Sequence, residues 1–240
     1  MRKTLGVIGG LGPMATAYFL ELITKMTAAV KDQEHLHVLI DSEPRTPDRT
    51  AFLLGRSGED PYPFLVSGGR HVTAMGAEVL AIPCNTAHAF CDRLQEELAV
   101  PFVHMIRETA QVLKEAGVKT VGLMATEGTI ATGLYQRELE AFGIRSAAPD
   151  EKLQQQVHHL IYQNVKANLP AEMDRFRAVQ AGLTAQGAEV IVLGCTELSV
   201  IKKNEKIGPG FLDAMEVLAA KAVTACGAEL AAGYEELITR

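Results

Sequence analysis

The chain has 240 residues, of which 48% are hydrophobic and 22% charged, enough to bury one substantial core or two modest ones. Its formal net charge is −6 and its Lys and Arg residues form no basic stripe, which argues against a nucleic-acid-binding protein. No apolar run approaches the ~18 residues of a membrane span, and residues 1–10 lead into a strand without the apolar region of a signal peptide, so we expect a soluble cytoplasmic protein.

Short runs rich in Val, Ile and Leu alternate along the chain with longer segments of helical periodicity. The short runs predict strands over residues 5–8, 37–40, 78–82, 102–103, 120–124 and 189–193. Helices are predicted over residues 14–30, 64–75, 86–98, 106–116, 135–142, 152–167, 171–186 and 212–225. Because alternating strands and helices form parallel sheets with helices on both faces, the predicted fold class is α/β.

Two segments of the first half of the chain return in the second half. Gly76-Ala-Glu-Val-Leu-Ala-Ile-Pro-Cys84-Asn85 is similar to Gly187-Ala-Glu-Val-Ile-Val-Leu-Gly-Cys195-Thr196, 111 positions later, and residues 4–10 are similar to residues 120–126. We therefore expect two similar parallel-sheet domains. The first would consist of residues 1–115 and 211–240 and carry Cys84, and the second would consist of residues 116–210 and carry Cys195.

Each repeated cysteine lies between the end of a predicted strand and a helix start, at the sheet edge where α/β proteins bind ligands. The free N–H groups of a helix start favour a thiolate and lower a thiol pKa from about 8.5. Two thiols that face each other across a cleft suit inversion at a stereocentre, because one removes a proton from one face while the other returns a proton to the opposite face. Such a reaction requires neither a redox cofactor nor a metal.

Several motifs follow one another along the chain: Gly6-Val-Ile-Gly-Gly-Leu-Gly-Pro-Met-Ala-Thr16, Pro47-Asp-Arg-Thr50, Pro83-Cys-Asn-Thr-Ala-His88 and Gly194-Cys-Thr-Glu-Leu-Ser199. With these motifs the chain resembles the PLP-independent aspartate/glutamate racemases over essentially its whole length. The resemblance implies two α/β domains related by pseudo-twofold symmetry, an active site in the cleft between them, no cofactor, and a homodimer.

The resemblance also implies roles for individual residues. The two catalytic acid/base residues would be Cys84 and Cys195. The α-amino acid portion of the substrate would be bound by Asn85, Thr86, Thr126 and Thr196. The side-chain carboxylate would be bound by Arg49 and Lys166. The expected activity is reversible racemisation of an acidic amino acid, with aspartate favoured and glutamate the alternative, since one methylene changes binding by only ~1–3 kcal/mol.

Other functions stay open on the sequence. The same superfamily includes maleate isomerases, hydantoin racemases and arylmalonate decarboxylases, so the resemblance does not give the substrate. Gly10-Leu-Gly-Pro-Met-Ala15 matches the G-x-G-x-x-A pattern, with Asp41 at the end of the next strand, and would fit a nicotinamide-dependent oxidoreductase. That function leaves the paired cysteines unexplained. A non-catalytic amino-acid sensor is a further alternative, and it too has no need of both thiols.

The basic residues also have plainer explanations. Arg49 fits an ordinary solvated loop, and Arg45 is an alternative anion-binding arginine. Lys166 fits a solvated lysine near a helix end, and no phosphate cradle accompanies it for a PLP Schiff base.

The remaining cysteines and histidines are interpreted as structural. Cys84, His88 and Cys91 would need a fourth ligand to hold zinc, so His88 is interpreted as a packing residue beside the site. Cys91 and Cys226 lack the polar context of the repeated cysteines and fit the core.

Overall fold

The computed structural model describes residues 2–239 and contains two parallel β-sheets. The first sheet has the strand order β2-β1-β3, formed by β1 (Leu5–Gly9), β2 (Val38–Ser42) and β3 (Val79–Ala81). The second has the order β5-β4-β6-β7, formed by β4 (Thr120–Ala125), β5 (Arg145–Ala147), β6 (Val190–Gly194) and β7 (Phe211–Asp213). Every pairing between these strands is parallel, which confirms the predicted α/β class.

Three strands of each sheet share one topology, as the internal repeat predicts, and β7 is added to the second sheet. In the first sheet β1 lies between β2 and β3, and in the second sheet β4 lies between β5 and β6. The central strands pair in register, with Gly6 opposite Leu39 and Leu80, and Gly122 opposite Ala147 and Ile191. This arrangement puts the chain that follows β3 and the chain that follows β6 at equivalent edges of the two sheets.

Helices flank both sheets. The α-helices are α1 (Pro13–Met26), α2 (Arg49–Leu53), α3 (Tyr62–Ala74), α4 (Cys91–Glu97), α5 (Met105–Glu115), α6 (Glu127–Ala131), α7 (Leu134–Glu140), α8 (Glu151–His158), α9 (Met173–Ala185), α10 (Thr196–Asn204) and α11 (Ala214–Ala225). Short 3-10 helices span Asp32–Glu34 and Thr86–Phe90, and a π-helix spans His159–Val165. In residues 2–239 no helix is long and apolar enough to cross a membrane.

Some predicted elements differ from the structure. The helix predicted over residues 212–225 begins at Ala214, because Asp213 ends β7 and caps α11 by accepting a hydrogen bond from Met215 N at 2.9 Å. The strand predicted over residues 102–103 is an isolated bridge between Phe102 and Leu80. The short elements β5, α2 and α6 were not predicted, since their few residues carry too little periodicity for a pattern to register, and of α10 only its start after Cys195 was predicted.

The segment after residue 210 contacts both halves. Strand β7 pairs with β6 in the second sheet, whereas α11 packs against α1 and α5 of the first half. The predicted domain division at residues 115 and 211 stays a prediction, and its end residues Met1 and Arg240 lie outside the described part of the chain.

A shared hydrophobic cluster joins the two halves. Its buried side chains include Phe19 of α1, Leu113 of α5, Tyr135 of α7 and Leu218 of α11, together with residues of β1 and β4. Because apolar burial is the main stabilising contribution to a fold, this common core holds the two sheets together, with the edges that follow β3 and β6 side by side.

Candidate active site

The repeated cysteines line one small cavity between the two halves. Cys84 follows β3 and precedes the 3-10 helix Thr86–Phe90, while Cys195 is the N-cap residue of α10. Both thiols are only 6% exposed. The cavity has a volume of about 20 Å³ and is lined by Leu11, Asp48, Arg49, Thr50, Cys84, Asn85, Thr86, Thr126, Tyr162, Lys166, Cys195, Thr196 and Glu197. All the residues that the sequence analysis assigned to the site therefore line this one cavity.

Threonine hydroxyls form a triangle across the cleft. Thr86 Oγ1 of the first half lies 3.0 Å from Thr126 Oγ1 and 2.9 Å from Thr129 Oγ1, which are themselves 3.0 Å apart. Thr126 also caps α6 by accepting a hydrogen bond from Thr129 N at 3.2 Å. The N-cap requirement of α6 explains why a threonine follows β4, and the triangle fixes Thr86 and Thr126 beside the cysteines.

Asn85 presents a free hydrogen-bond donor to the cavity. Its Oδ1 accepts a hydrogen bond from the Tyr135 hydroxyl at 2.6 Å, which fixes the orientation of the amide. Burial raises the pKa of Tyr135, so that hydroxyl stays protonated and donates. Asn85 is 3% exposed, and its Nδ2 has no hydrogen-bond partner among the described residues. Since an unpaired buried donor costs about 1–3 kcal/mol, Nδ2 is poised to bind an acceptor on a ligand.

Arg49 is buried rather than solvated. It is the first residue of α2, and its guanidinium donates to the backbone carbonyls of Thr46, Pro47 and Leu11 at 3.2, 3.0 and 2.9 Å. These bonds leave Nε without a partner among the described residues. The alternative of an ordinary solvated loop is therefore wrong for Arg49.

The charge of Arg49 faces acidic groups of the site. Burial by itself lowers the pKa of Arg49, but the sulfur of Cys84 and the carboxylates of Asp48 and Glu197 raise it above its ordinary value. Arg45, the alternative arginine, instead pairs with Glu43 on the exposed surface and does not line the cavity.

Lys166 reaches the cavity from the end of the π-helix His159–Val165. Its Nζ lies 3.5 Å from Asp48 Oδ2 and 4.1 Å from the centroid of the Tyr162 ring. Burial alone would lower the pKa of Lys166, yet its acidic neighbours, led by Glu197, raise it. Lys166 therefore stays a cation, and it lines the cavity from the second half of the chain. A π-helix is rare and concentrates at functional sites, which agrees with its position here.

Cys195 has a carboxylate neighbour that was absent from the residues predicted from the sequence. Glu197 is 5% exposed, and its Oε2 accepts a hydrogen bond from Cys195 Sγ at 2.9 Å and lies 3.4 Å from Thr196 Oγ1. Burial, and then the charge of Glu197, raise the pKa of Cys195 well above its ordinary value. The expectation that a helix start lowers the pKa is wrong for Cys195, because these two effects outweigh the N–H groups of α10. The signal for Glu197 was its place in the motif Gly194–Ser199, directly after the cysteine.

His88 supports the Cys84 turn and does not act as a ligand. Its Nδ1 donates to the carbonyl oxygen of Cys84 at 2.9 Å, and its Nε2 accepts from Met105 N at 3.1 Å. Complete burial lowers the pKa of His88 to about 3, so the ring is neutral. Both ring nitrogens are thus used within the protein, and residues 2–239 contain no group of three or more His, Cys, Asp or Glu that could hold a metal ion.

The glycine-rich loop has a packing explanation. Gly10 has a φ of +86°, and a Cβ there would lie 2.4 Å from the backbone nitrogen of Glu43, so the position requires glycine. Asp41, which would bind the ribose in a dinucleotide site, is paired with His71 Nδ1 at 2.8 Å. These contacts account for Gly10 and Asp41 without a nucleotide.

A wider vestibule of about 540 Å³ adjoins the cysteine cavity. The two spaces share a wall of side chains: Leu11, Asp48, Arg49, Lys166 and Glu197. A cavity of about 20 Å³ holds a single water molecule, so the cavity has to widen before an amino acid can contact the cysteines.

The family model for Asp/Glu/hydantoin racemases matches residues 8–222. The broad specificity amino-acid racemase RacX of Bacillus subtilis is 27% identical over 229 residues, covering 92% of this chain and 96% of RacX. Picrophilus torridus aspartate racemase superposes with a TM-score of 0.80 at 30% identity, covering 97% of both chains. In fold alone, a glutamate racemase from Francisella tularensis in complex with D-glutamate is similar, with a TM-score of 0.61 at 18% identity over 93% of this chain and 80% of that one. The chain therefore belongs to the Asp/Glu/hydantoin racemase family and is an amino-acid racemase.

Proposed function

We propose that this racemase inverts the α-carbon of an acidic amino acid, aspartate before glutamate, with Cys84 and Cys195 as its two acid/base residues. The observation that carries the proposal is the single cavity between the two halves, which both thiols line together with the cations of Arg49 and Lys166. One thiolate accepts the Cα proton from one face, and the opposing thiol gives its proton to the other face. Because the two sulfurs supply both proton transfers, the reaction needs no cofactor.

The neighbouring residues have matching roles in this proposal. Asn85 Nδ2 and the hydroxyls of Thr86, Thr126 and Thr196 would bind the α-carboxylate and stabilise the charge that develops as the Cα proton leaves. Arg49 and Lys166 would bind the side-chain carboxylate, since charge-assisted hydrogen bonds are the strong ones. Because one sulfur must be charged while the other is protonated, turnover should follow a bell-shaped pH profile.

The test is proton NMR of the purified protein in D2O with L-aspartate and, separately, L-glutamate, with no cofactor added. We expect the Cα proton signal to disappear and the D-enantiomer to form, as measured by chiral chromatography. Parallel assays with L-alanine and L-leucine distinguish an enzyme restricted to acidic substrates from a broad specificity amino-acid racemase such as RacX. Absence of exchange with both acidic substrates would contradict the proposal, and maleate and hydantoins would be assayed next.

We also propose that the enzyme works in the cytoplasm as a homodimer. All four cysteines are free thiols, as suits a reducing compartment. The dimer is what the family resemblance implies, and sedimentation equilibrium measures it directly.

A further inference from the structure

One tyrosine of the second half contacts the turns of both repeated cysteines. Tyr135 belongs to α7, is fully buried, and donates its hydroxyl proton at 2.6 Å to Oδ1 of Asn85, the residue after Cys84. The ring of the same tyrosine packs against Gly194, the residue before Cys195, where an added Cβ would lie 3.2 Å from Tyr135 Cε2. Tyr135 therefore lies between the two cysteine turns.

We propose that Tyr135 is a positioning residue of this racemase, whose hydroxyl holds the Asn85 amide so that Nδ2 faces the α-carboxylate of the substrate. This inference deepens the proposed function and rests on it for the role of Asn85. It adds that a donor of the first half is oriented by a helix of the second half. The donor is therefore in place only when the two halves are packed together.

The length of the hydrogen bond supports this orientation of the amide. O–H···O bonds measure about 2.5–3.0 Å and N–H···O bonds about 2.7–3.2 Å, so the 2.6 Å contact fits the amide oxygen of Asn85 and is short for its nitrogen. Nδ2 is left without a partner among the described residues, on a buried side chain that lines the cysteine cavity. The amide thus offers a donor, and not an acceptor, to a ligand in this cavity.

The internal repeat changes where the tyrosine ring needs room. Pro83 stands before the first repeated cysteine, whereas Gly194 stands before the second. Gly194 does not have a positive φ that would by itself favour glycine. A Cβ at Gly194 would lie 3.0 Å from Ala125 Cβ and 3.2 Å from Tyr135 Cε2, closer than side chains ordinarily pack. Glycine at this position therefore lets the Tyr135 ring lie directly against the second cysteine turn.

The equivalent residue of the second half needs no such partner. Thr196 stands 111 positions after Asn85, and its Oγ1 lies 3.4 Å from Oε2 of the adjacent Glu197. A hydroxyl can donate or accept after rotation about one bond, whereas an amide presents a donor on one side and an acceptor on the other. A hydrogen bond that fixes the orientation therefore matters at Asn85 and not at Thr196.

A double-mutant cycle tests whether Tyr135 acts through Asn85. Tyr135→Phe keeps the ring and removes the hydroxyl, so the amide can present its acceptor to the cavity. For the amino acid that the wild type racemises best, we expect kcat to fall about 5- to 10-fold in both directions. In the Asn85→Ala background the same substitution should change kcat by less than about twofold, because the amide that Tyr135 orients is gone.

Tyr62→Phe is the matched control. It removes a hydrogen bond of 2.8 Å from another buried tyrosine hydroxyl, to Glu97, outside the cysteine cavity, and kcat should stay at the wild-type value. Wild-type kcat in Tyr135→Phe would overturn the proposal. An equal loss in the presence and in the absence of the Asn85 side chain would do so too, since a role in packing alone gives additive losses.

NMR of the wild-type side-chain amides tests the orientation without a Tyr135 variant and without turnover. Labelling with 15N-asparagine gives four amide pairs, of which the Asn85 pair is the one lost in Asn85→Ala; the four residues are Asn85, Asn164, Asn168 and Asn204. Because Nδ2 points away from the phenol, we expect only a weak NOE between the Asn85 amide protons and the Tyr135 ring. A strong NOE means a reversed amide and contradicts the proposal. The expected NOE together with no turnover of aspartate or glutamate would remove only the proposed substrate class.

Discussion

The half-site around Cys84 and the half-site around Cys195 are built on one strand-and-turn arrangement but differ in the residues that follow the cysteine. After Cys84 the chain enters a 3-10 helix, and the second residue is Thr86. After Cys195 the chain enters α10, and the second residue is Glu197. The repeated strands thus bring the two sulfurs to one cavity, while the carboxylate of Glu197 beside Cys195 stands where the first half has the hydroxyl of Thr86.

The comparison extends to the fourth residue after each cysteine. His88 links the Cys84 turn to the first residue of α5 through Met105 N at 3.1 Å. Ser199 links α10 to the N-cap of α11 by donating to Asp213 Oδ1 at 2.6 Å. Both links are buried and both fix a cysteine turn to the start of a long helix, but one uses a neutral base and the other a carboxyl group.

Removal of either active-site sulfur should reduce turnover more than any other substitution considered. In Cys84→Ala or Cys195→Ala, turnover should fall by ~10²- to 10⁴-fold, since one general acid or base is lost. Kinetics by chiral chromatography measure the loss. Each variant keeps one sulfur, so each should exchange the Cα proton of only one enantiomer in D2O, without inverting it.

Cys226→Ala is the control for this pair, because Cys226 is a buried cysteine outside the cavity, at the end of α11. It should retain near-normal turnover. Near-normal racemisation by either active-site variant would show that the two thiols are not both needed.

The two cations of the cavity should contribute less to turnover than the two sulfurs do. Arg49→Ala and Lys166→Ala each remove a charge-assisted hydrogen bond of about 1.5–3 kcal/mol, which corresponds to ~10- to 100-fold in kcat/KM for aspartate. Arg49→Ala should have the greater effect, because it also releases the carbonyls of Leu11, Thr46 and Pro47. Steady-state kinetics with aspartate and alanine separate binding of the side-chain carboxylate from a general loss.

The exposed Arg45→Ala variant, which breaks only a surface pair with Glu43, is the matched control and should behave as wild type. If Arg49→Ala and Lys166→Ala reduced turnover of alanine as strongly as that of aspartate, neither residue would select a dicarboxylic substrate.

The strands that carry the two cysteines and the predicted site residues around them leave local signals in the sequence. The strands that end at Cys84 and Cys195 are apolar and repeated, and the family resemblance assigns Arg49 and Lys166 to the site. The charge of the second half-site was not predicted, because it depends on burial and on the 2.9 Å contact of Glu197 with Cys195, whereas the sequence indicates only that a helix starts after Cys195. The pairing of β7 with the second sheet was not predicted either, because its apolar residues continue directly into α11, an apolar and largely buried helix, and read as its first turn.

The smallest expected effect is on stability: the link through His88 and the link through Asp213 should depend on pH in opposite directions. His88 is neutral when folded because burial lowers its pKa to about 3, from an ordinary value of 6.5. Its contribution to stability is therefore present above pH 6.5 and is lost as the pH falls toward 3. Asp213 is the reverse case, because burial raises its pKa above the ordinary value of 3.8. Its contribution is full below pH 3.8 and is lost as the pH rises through the folded-state value.

Urea denaturation across pH tests this opposition in matched variants. His88→Asn should flatten the acidic side of the stability profile, and Asp213→Asn, which keeps an Oδ1 acceptor for Ser199 and Met215, should flatten the side above pH 3.8. Each variant should leave the other side of the profile as in wild type. Parallel shifts of the whole curve in both variants would mean that the links act through packing alone, and the electrostatic difference between the half-sites would then be confined to Glu197 and Arg49.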